Sequence, residues 1–417
     1  MWQAIANAEI QDRALETIAE IAACLRSLGD GPGSGNEHPL LAGGASGLAL
    51  FWAYLDAARP GTDAGERAVT TLETCLEETA RMDLIPSLFS GFCGVGWVIE
   101  HLCRRFIASE EDLAAELDLV LDSLLRGRSK VQPYELVGGL AGVGTYLVER
   151  LGRPGADERL ALVLDGLEEG AEVNAAGCTW LTRPEWLAPF RRQRMPEGHY
   201  NLGVAHGVPG VLGLLAAAKG AGFNDERLTP LAEGTVAWLL TQRGPAGEIS
   251  VYPSTLLPDG STEPTRTAWC YGDLGVAAML LGAARAFERP EWEAEALTLA
   301  RLAAARPVHA TGVVDAGLCH GSAGLAHLFN RFYQATGEVV FREAALTWYT
   351  LTFELQRPGE GYAGFVTWHA ADGEEGYWRG EAGFLTGIAG VGLALLAAVT
   401  EVEPAWDRVL LTAFPGR

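Results

Sequence analysis

The sequence predicts an all-α protein, a seven-fold α/α barrel of inner and outer helices, with residues 1–417 in a single domain. Three observations support this prediction: a Gly-x-x-Gly pair that recurs seven times, an apolar segment after each pair, and amphipathic stretches between the pairs. The first glycines of the pairs are Gly44, Gly91, Gly139, Gly207, Gly272, Gly321 and Gly387. The interval between them runs from 47 residues (44 to 91) to 68 residues (139 to 207), enough for two helices and their connections.

The apolar segments predict the inner helices. Residues 211–218 and 391–398 would be apolar on nearly every side of a helix, and such a helix must be buried on all faces. Residues 157–169 instead carry apolar side chains at i, i+3 and i+4 with charges elsewhere, which predicts an outer helix. If every pair opens an inner helix running the same way, the residues before the pairs meet at one end of the barrel.

The longer intervals contain extra residues near 174–200, 243–265 and 357–380, and we expect these loops to surround the same end. The glycine-rich stretch 29–35 predicts a flexible connector before the first pair. Strand signals are sparse, and 248–252 is predicted to form a short extended piece.

Charge and composition argue against several classes of function. The formal net charge of −22 disfavours a nucleic-acid partner, because phosphate binding needs a basic surface. Seven cysteines, an odd number in so long a chain, do not suggest a disulfide scaffold. Residues 1–9 lack the pattern of a signal peptide, and no run reaches the roughly 18 apolar residues of a membrane helix. We therefore expect a cytoplasmic protein with reduced thiols that does not span a membrane.

Three side chains that can bind a metal share a register. Cys270 and Cys319 both lie two residues before a first glycine, and His320 lies one residue before. Two thiols and an imidazole from neighbouring repeats match a Zn²⁺ site that keeps its fourth position open, as catalytic zinc sites do. Each residue alone would be interpreted as an ordinary buried cysteine or a loop histidine, but the shared register favours the metal. A zinc ion in such a site can deprotonate a substrate thiol.

Four further residues are candidates for catalysis at the same end. His206, one residue before its glycine, could transfer protons near neutral pH. Tyr271 and Arg266 could stabilise an anionic intermediate, although structural roles explain them nearly as well. Glu135, four residues before Gly139, could orient His206 or Arg266. The cysteines outside the register are Cys24, Cys75, Cys93, Cys103 and Cys178.

At these motifs the sequence resembles the LanC-type lanthipeptide cyclases, over essentially the whole chain. The matching signatures are Asn201-Leu202-Gly203-x-Ala205-His206-Gly207, Trp269-Cys270-Tyr271-Gly272 and Cys319-His320-Gly321. The resemblance implies one Zn²⁺ per chain, held by Cys270, Cys319 and His320, with His206, Arg266 and Tyr271 at the family's other active-site positions. The family usually has an aspartate where this chain has Glu135.

The resemblance also implies a reaction and partners. The family adds cysteine thiols to dehydroalanine or dehydrobutyrine in a precursor peptide and so closes lanthionine or methyllanthionine rings. The substrate would then be a dehydrated precursor peptide, leader plus core, and a dehydratase and an exporter are candidate partners. We expect a monomer, located in the cytoplasm or at the membrane periphery through a biosynthetic complex.

Other classes remain open at this point. A glycosidase on an α/α barrel needs two opposed carboxylates, for which Glu135, Asp273 and Glu381 are available, although capping inner helices explains the last two better. That hypothesis leaves the Cys-Cys-His register unexplained. A protein prenyltransferase would also use a zinc-activated thiol, but the seven motifs do not resemble that family. The remaining alternative is a LanC-like zinc protein that binds glutathione or modified protein thiols without forming rings.

Overall fold

A computed structural model describes residues 2–29, 38–109, 111–127, 132–244, 250–370 and 375–415. Beyond Gly29, the predicted connector 29–35 lies outside these residues, as do 248 and 249 of the predicted extended piece. The chain forms two compact units. Of the described residues, the first unit contains those within 2–115, 313–370 and 375–407, and the second contains those within 116–312 and 408–415.

Helices dominate both units. In chain order, the helices of the described residues are α1 (Ala8–Leu28), α2 (Ala45–Ala58), α3 (Ala64–Arg81), α4 (Phe92–Arg105), α5 (Ala115–Gly127), α6 (Leu140–Arg150), α7 (Ala156–Gly170), α8 (Pro189–Arg194), α9 (Val208–Gly220), α10 (Leu228–Thr241), α11 (Asp273–Ala286), α12 (Pro290–Ala305), α13 (Ser322–Thr336), α14 (Val339–Glu354) and α15 (Ile388–Val399). No helix among these residues is both long and apolar enough to cross a membrane.

Short antiparallel strands lie in or beside the three long loops. They are β1 (Glu172–Asn174), β2 (Gly177–Thr179), β3 (Leu181–Thr182), β4 (His199–Asn201), β5 (Thr255–Leu256), β6 (Thr262–Glu263), β7 (Thr367–His369) and β8 (Tyr377–Arg379). Strands β1 and β2 form one hairpin, β3 to β6 form a four-stranded sheet in that order, and β7 and β8 form a second hairpin. The described part of the predicted extended piece, residues 250–252, is not a strand.

The inner helices begin where the glycine pairs predict. Helices α2, α4, α6, α9, α11, α13 and α15 each start one residue after a first glycine. Helix α15 is buried along its whole length, as an apolar helix must be. Inner helices pack on the outer helices that follow them, as α2 does on α3, α11 on α12 and α13 on α14.

Each glycine of a pair allows a close approach. A Cβ atom on the first glycine would collide with the backbone before the helix, as at Gly207, where the carbonyl oxygen of Asn201 would lie 2.2 Å away. A Cβ on the second glycine would also collide with the backbone of its own turn, as at Gly210, where the carbonyl oxygen of Val204 would lie 2.3 Å away. At Gly210 it would in addition crowd a side chain of the preceding repeat, because the Leu136 Cβ would lie 3.3 Å away. Because the glycines have no Cβ atom, the backbone at each inner-helix start can approach its own turn and the neighbouring repeat closely.

Backbone hydrogen bonds join neighbouring repeats at one level, which we call the belt position, two residues before each first glycine. In the first unit the amide of Cys319 donates to Leu385 (2.8 Å), Leu385 to Ala42 (2.9 Å), and Ala42 to Phe89 (3.0 Å). In the second unit Val137 donates to Ala205 over 3.2 Å, and Ala205 donates to Cys270 over 3.3 Å. Residues that share a sequence register therefore share a level within each unit.

The prediction that Asp273 and Glu381 cap inner helices is wrong. The residues before α11 and α15 are Gly272 and Gly387, and neither helix start receives a side-chain cap. The buried carboxylate of Asp273 instead accepts hydrogen bonds from the backbone amides of Val251 and Tyr252, and burial raises its pKa. It therefore ties the loop before β5 to the start of α11.

Candidate active site

Cys319 and His320 lie in the turn that leads into α13, in the first unit. The belt hydrogen bond from the Cys319 amide to Leu385 holds the turn against the seventh repeat. Both side chains are half-buried, so a ligand can reach them. The His320 Nε2 atom lies 3.7 Å from an oxygen of Asp315, whose side chain is only 1% exposed.

Asp315 is a site residue that the sequence analysis missed. Its carboxylate accepts backbone hydrogen bonds from Trp368 (3.2 Å) and Gly317 (3.4 Å), which hold it next to the His320 ring. A carboxylate beside a metal-binding imidazole orients the ring and makes it a better ligand. A signal was present in the sequence, because Asp315 lies six residues before its first glycine, as Arg266 does before Gly272.

Cys270 lies in the corresponding turn of the second unit, before α11. Its side chain is buried, and its carbonyl accepts the belt hydrogen bond from Ala205. The neighbouring Trp269 is fully buried and donates from Nε1 to the carbonyl of Leu410 over 2.9 Å. Gly272 ends the turn with φ of +126°, a conformation that side-chain-bearing residues rarely adopt.

Cys270, Cys319 and His320 could supply the ligands of a metal ion. Cys319 and His320 are adjacent in the turn before α13, and Cys270 occupies the belt position of its repeat, as Cys319 does in the next repeat. Two thiols and one imidazole form a soft donor set, which suits zinc and does not suit magnesium or calcium.

His206 and Glu135 are in contact in the second unit, although 71 residues separate them. The Nδ1 atom of His206 lies 2.7 Å from a carboxylate oxygen of Glu135. Glu135 is itself held by the backbone amides of Val137 (3.0 Å) and Gly138 (2.6 Å). About half of the His206 side chain is exposed, so its ring is oriented by the protein and accessible from outside.

Tyr271 is held by Asn201, which lies at the end of β4. The Asn201 side-chain amide donates to the phenol oxygen over 2.9 Å. Burial raises the pKa of Tyr271 to about 12, so the phenol is neutral at physiological pH and keeps a proton to donate. A Cβ on Gly203 would lie 2.6 Å from the Tyr271 ring, so glycine is required there. Asn201 and Gly203 were noticed in the sequence only as parts of a motif.

Arg266 lies in the loop before α11, and its side chain is exposed. Its Cβ packs on Gly312, which has φ of +73°. Within the described part of the chain its guanidinium has no hydrogen bond or ion pair, so the structure does not bring Arg266 to Glu135. The carboxylate of Glu135 contacts His206 instead.

Comparison with known protein families identifies the chain. The profile of the family described as "Lanthionine synthetase C-like protein" matches residues 37–411, which is most of the chain. The chain belongs to this family. The resemblance that the motifs indicated is therefore confirmed.

Two curated proteins are similar to this lanthionine synthetase C-like protein. Nisin biosynthesis protein NisC of Lactococcus lactis subsp. lactis is 23% identical over 266 residues, which are 60% of this chain and 62% of NisC. The match therefore covers less than two thirds of NisC. Glutathione S-transferase LANCL1 of Danio rerio is 23% identical over 299 residues, which are 70% of this chain and 69% of LANCL1.

Solved structures show the fold. A structure of nisin cyclase matches with a TM-score of 0.75 at 20% identity, over 97% of this chain and 98% of that one. The cellobiose 2-epimerase of Bacillus thermoamylovorans matches with a TM-score of 0.51 at 11% identity, over 94% and 99% of the two chains. The predicted fold class, an all-α chain of the α/α-barrel type, is confirmed by the nisin cyclase match.

Proposed function

We propose that this lanthionine synthetase C-like protein is a zinc-dependent lanthipeptide cyclase. It adds cysteine thiols of a dehydrated precursor peptide to dehydroalanine or dehydrobutyrine, forming lanthionine or methyllanthionine rings. The observation that carries the proposal is the register shared by two thiols and an imidazole, those of Cys270, Cys319 and His320, directly before the glycine pairs of two neighbouring repeats. Family membership and the likeness to NisC support the same reaction.

In this proposal Cys270, Cys319 and His320 hold the zinc ion, and Asp315 keeps the His320 ring in place. Three protein ligands leave one position for a substrate atom, as in catalytic zinc sites. When bound, zinc would lower the pKa of a peptide thiol so that the sulfur reacts as a thiolate near neutral pH.

His206 supplies the proton that the α-carbon of the dehydro residue gains. As the peptide sulfur bonds to the β-carbon of the dehydro residue, the thiol proton is lost and the α-carbon gains a proton. Glu135 holds His206 through Nδ1, which leaves Nε2 as the atom that can exchange this proton. Glu135 is thus a positioning residue, and His206 is the catalytic acid.

Tyr271 and Arg266 stabilise the negative charge that develops on the substrate carbonyl oxygen during the addition. Because Tyr271 accepts a hydrogen bond from Asn201, its own O–H is free to donate to that oxygen. The exposed guanidinium of Arg266 supplies a positive charge to the same oxygen.

Metal analysis and a cyclisation assay test this proposal. The purified protein should contain about one zinc ion per chain, and it should convert a dehydrated cysteine-containing peptide into a product that resists thiol alkylation. Cys319→Ala should lose both the zinc and the activity, because it removes one of three ligands. A variant that keeps both would refute the metal assignment.

A second candidate function is supported by the match to LANCL1, a glutathione S-transferase. The same residues would then bind the thiol of glutathione or of a modified protein, and no peptide ring would form. Zinc-loaded protein incubated with glutathione and with a dehydrated peptide separates the two functions. Ring closure within the peptide supports the cyclase, and a glutathione adduct without a ring supports the alternative.

The dehydrated precursor peptide is the only partner that this proposal requires. A dehydratase, an exporter, a monomeric state and a cytoplasmic or membrane-peripheral location stay predictions from the family resemblance. Co-purification of the protein with a dehydratase encoded next to it would support the complex.

A further inference from the structure

The first unit contains a cavity of about 640 Å³ beside the turns that lead into α2, α4 and α15. Its lining includes Ala42, Gly43, Phe89 and Ser90 from the first and second repeats. These residues occupy the belt position and the position after it, where the fifth and sixth repeats carry the proposed metal ligands. Because Ala42, Gly43 and Ser90 are small, a concave space opens at this level. Its volume is within the range of ligand pockets.

The carboxylate and the guanidinium in the lining, those of Glu381 and Arg379, are paired with each other. Glu381 accepts a hydrogen bond from the Arg379 Nε atom over 2.5 Å, and the His369 Nε2 atom lies 3.1 Å from the same carboxylate oxygen. The side chain of Glu381 is only 16% exposed, so it is not a free anion awaiting a cation. A charged ligand group in this cavity would lose water without gaining an ionic partner, which is costly.

The rest of the lining suits an uncharged peptide segment. Leu40 and Ala42, which are half-buried, supply apolar surface, and Ser90 and Tyr362 supply hydroxyl groups. Main-chain groups are accessible where the wall is formed by glycines, as at Gly43, Gly361 and Gly380. An apolar wall with a few hydrogen-bonding groups is typical of a site that binds a ligand by shape and orients it by polar contacts.

The belt hydrogen bonds give the distance from the cavity to Cys319. One backbone hydrogen bond joins Cys319 to Leu385, and a second joins Leu385 to Ala42. Backbones joined in this way lie about 4.8 Å apart, so two steps span about 10 Å. An extended peptide covers about 3.3–3.6 Å per residue, so this distance corresponds to about three residues.

We propose that this cavity is a specificity subsite for the substrate peptide. It takes an uncharged side chain about three residues from the reacting cysteine, and so favours peptides in which that position is neutral. The inference rests on the proposed cyclase function, because the reacting cysteine is placed at Cys319 and His320.

Gly43→Phe tests the subsite. A Cβ at Gly43 meets no atom within 4 Å, so the added ring extends into open space and fills the cavity. The matched control is Gly127→Phe at the end of α5, where a Cβ also meets nothing within 4 Å. We expect Gly43→Phe to keep its zinc and its melting temperature but to lose about tenfold or more in kcat/KM, mainly through KM. The control should behave as the wild type.

A peptide series provides the second arm. The third residue on either side of the reacting cysteine is changed in turn from Leu to Asp. The wild type should lose about tenfold in kcat/KM at one of these positions, whereas Gly43→Phe should no longer distinguish the two peptides. Binding of a peptide with Ser in place of the reacting Cys, measured by calorimetry, should weaken in parallel.

Failure of the subsite and failure of the proposed function give different results. A wild type that cyclises no dehydrated peptide overturns both. A wild type that cyclises peptides while Gly43→Phe shows unchanged kinetics and unchanged discrimination overturns the subsite alone. If Gly43→Phe does not fold, Gly43→Leu fills the same space with a smaller group, and wild-type kinetics in that variant overturn the subsite.

Discussion

Two sets of repeats share the same backbone arrangement but differ in side-chain chemistry. One set is repeats four to six, and the other is repeats seven, one and two. Every repeat has a turn, a first glycine and a buried helix start. Belt hydrogen bonds join repeats four and five in one set, and repeats seven, one and two in the other. The two residues before the first glycine differ in chemistry. In repeats four to six they are Ala205-His206, Cys270-Tyr271 and Cys319-His320, and in repeats seven, one and two they are Leu385-Thr386, Ala42-Gly43 and Phe89-Ser90.

This difference distinguishes the glycines, which maintain the fold, from the two residues before them, which can take part in binding or catalysis. Close contacts that recur in the repeats require glycine at both positions of a pair. These glycines are therefore explained by packing and do not indicate a function. At the first of the two positions before the pair, backbone hydrogen bonds join neighbouring repeats within each unit, while the side chain differs from repeat to repeat. Such positions can carry a metal ligand in one repeat and leave space for a substrate in another.

The largest effect is expected from removing a cysteine inside the register, in contrast to a cysteine outside it. Cys270→Ala should abolish zinc binding and reduce cyclisation by roughly a thousandfold or more, because a lost metal site costs several kcal/mol of transition-state stabilisation. Zinc content by mass spectrometry and ring formation by thiol alkylation measure both effects.

The matched control for that change is Cys178→Ala. Cys178 is also a buried free thiol, and burial raises its pKa to about 11, so its thiol stays protonated near neutral pH. This variant should keep its zinc and activity and lose only about 1 kcal/mol of unfolding free energy. Loss of zinc from Cys178→Ala would contradict the importance of the register.

A smaller effect is expected at Tyr271, which follows the belt position in the fifth repeat. Tyr271→Phe removes a donor to the developing oxyanion and should lower kcat by about a hundredfold. Because burial raises the pKa of Tyr271 to about 12, its phenol stays protonated well above neutral pH. The pH profile of the variant below about pH 10 should therefore keep the wild-type shape.

Tyr349→Phe serves as the control for Tyr271→Phe. Tyr349 is buried in α14, and its hydroxyl donates to the carbonyl of Ala394 in α15 over 3.1 Å, away from the belt position. Its removal should affect the free energy of unfolding and leave kcat unchanged. An equal loss of kcat in both variants would mean that Tyr271 acts through packing and is not a donor to the substrate.

The smallest of these effects is expected at Glu135, which acts through His206. Glu135→Gln keeps the size of the side chain and removes its charge, so His206 should be less firmly oriented and kcat should fall by about tenfold with KM unchanged. Glu135→Asp keeps the charge and should recover part of the loss. Steady-state kinetics on one dehydrated peptide provide the measurement.

Glu172→Gln is the matched control in the same unit, because Glu172 also accepts a hydrogen bond from a side chain, that of Tyr200. It should leave kcat unchanged. Wild-type activity in both glutamine variants would contradict a positioning role for Glu135.

The sequence alone determined the helix starts and the register. Gly-x-x-Gly pairs and the apolar segments after them are local signals, and a fully apolar helix has no alternative to complete burial. For the same reason Cys270, Cys319, His320 and His206 could be recognised as candidates. Residues at the same position of successive repeats are expected to lie at the same level of the fold. Within each unit, the belt hydrogen bonds join such residues directly.

Only the tertiary structure decided which polar groups meet. Glu135 contacts His206 across 71 residues, and Asn201 contacts Tyr271 across 70, because the intervening helices return the chain to the same level. The same holds for Asp273, which binds a loop amide and caps no helix. Such contacts depend on the length and direction of the loops between the helices, which a local repeat pattern does not encode. The sequence pattern therefore identifies candidate residues, and the tertiary structure determines which side chains each of them contacts.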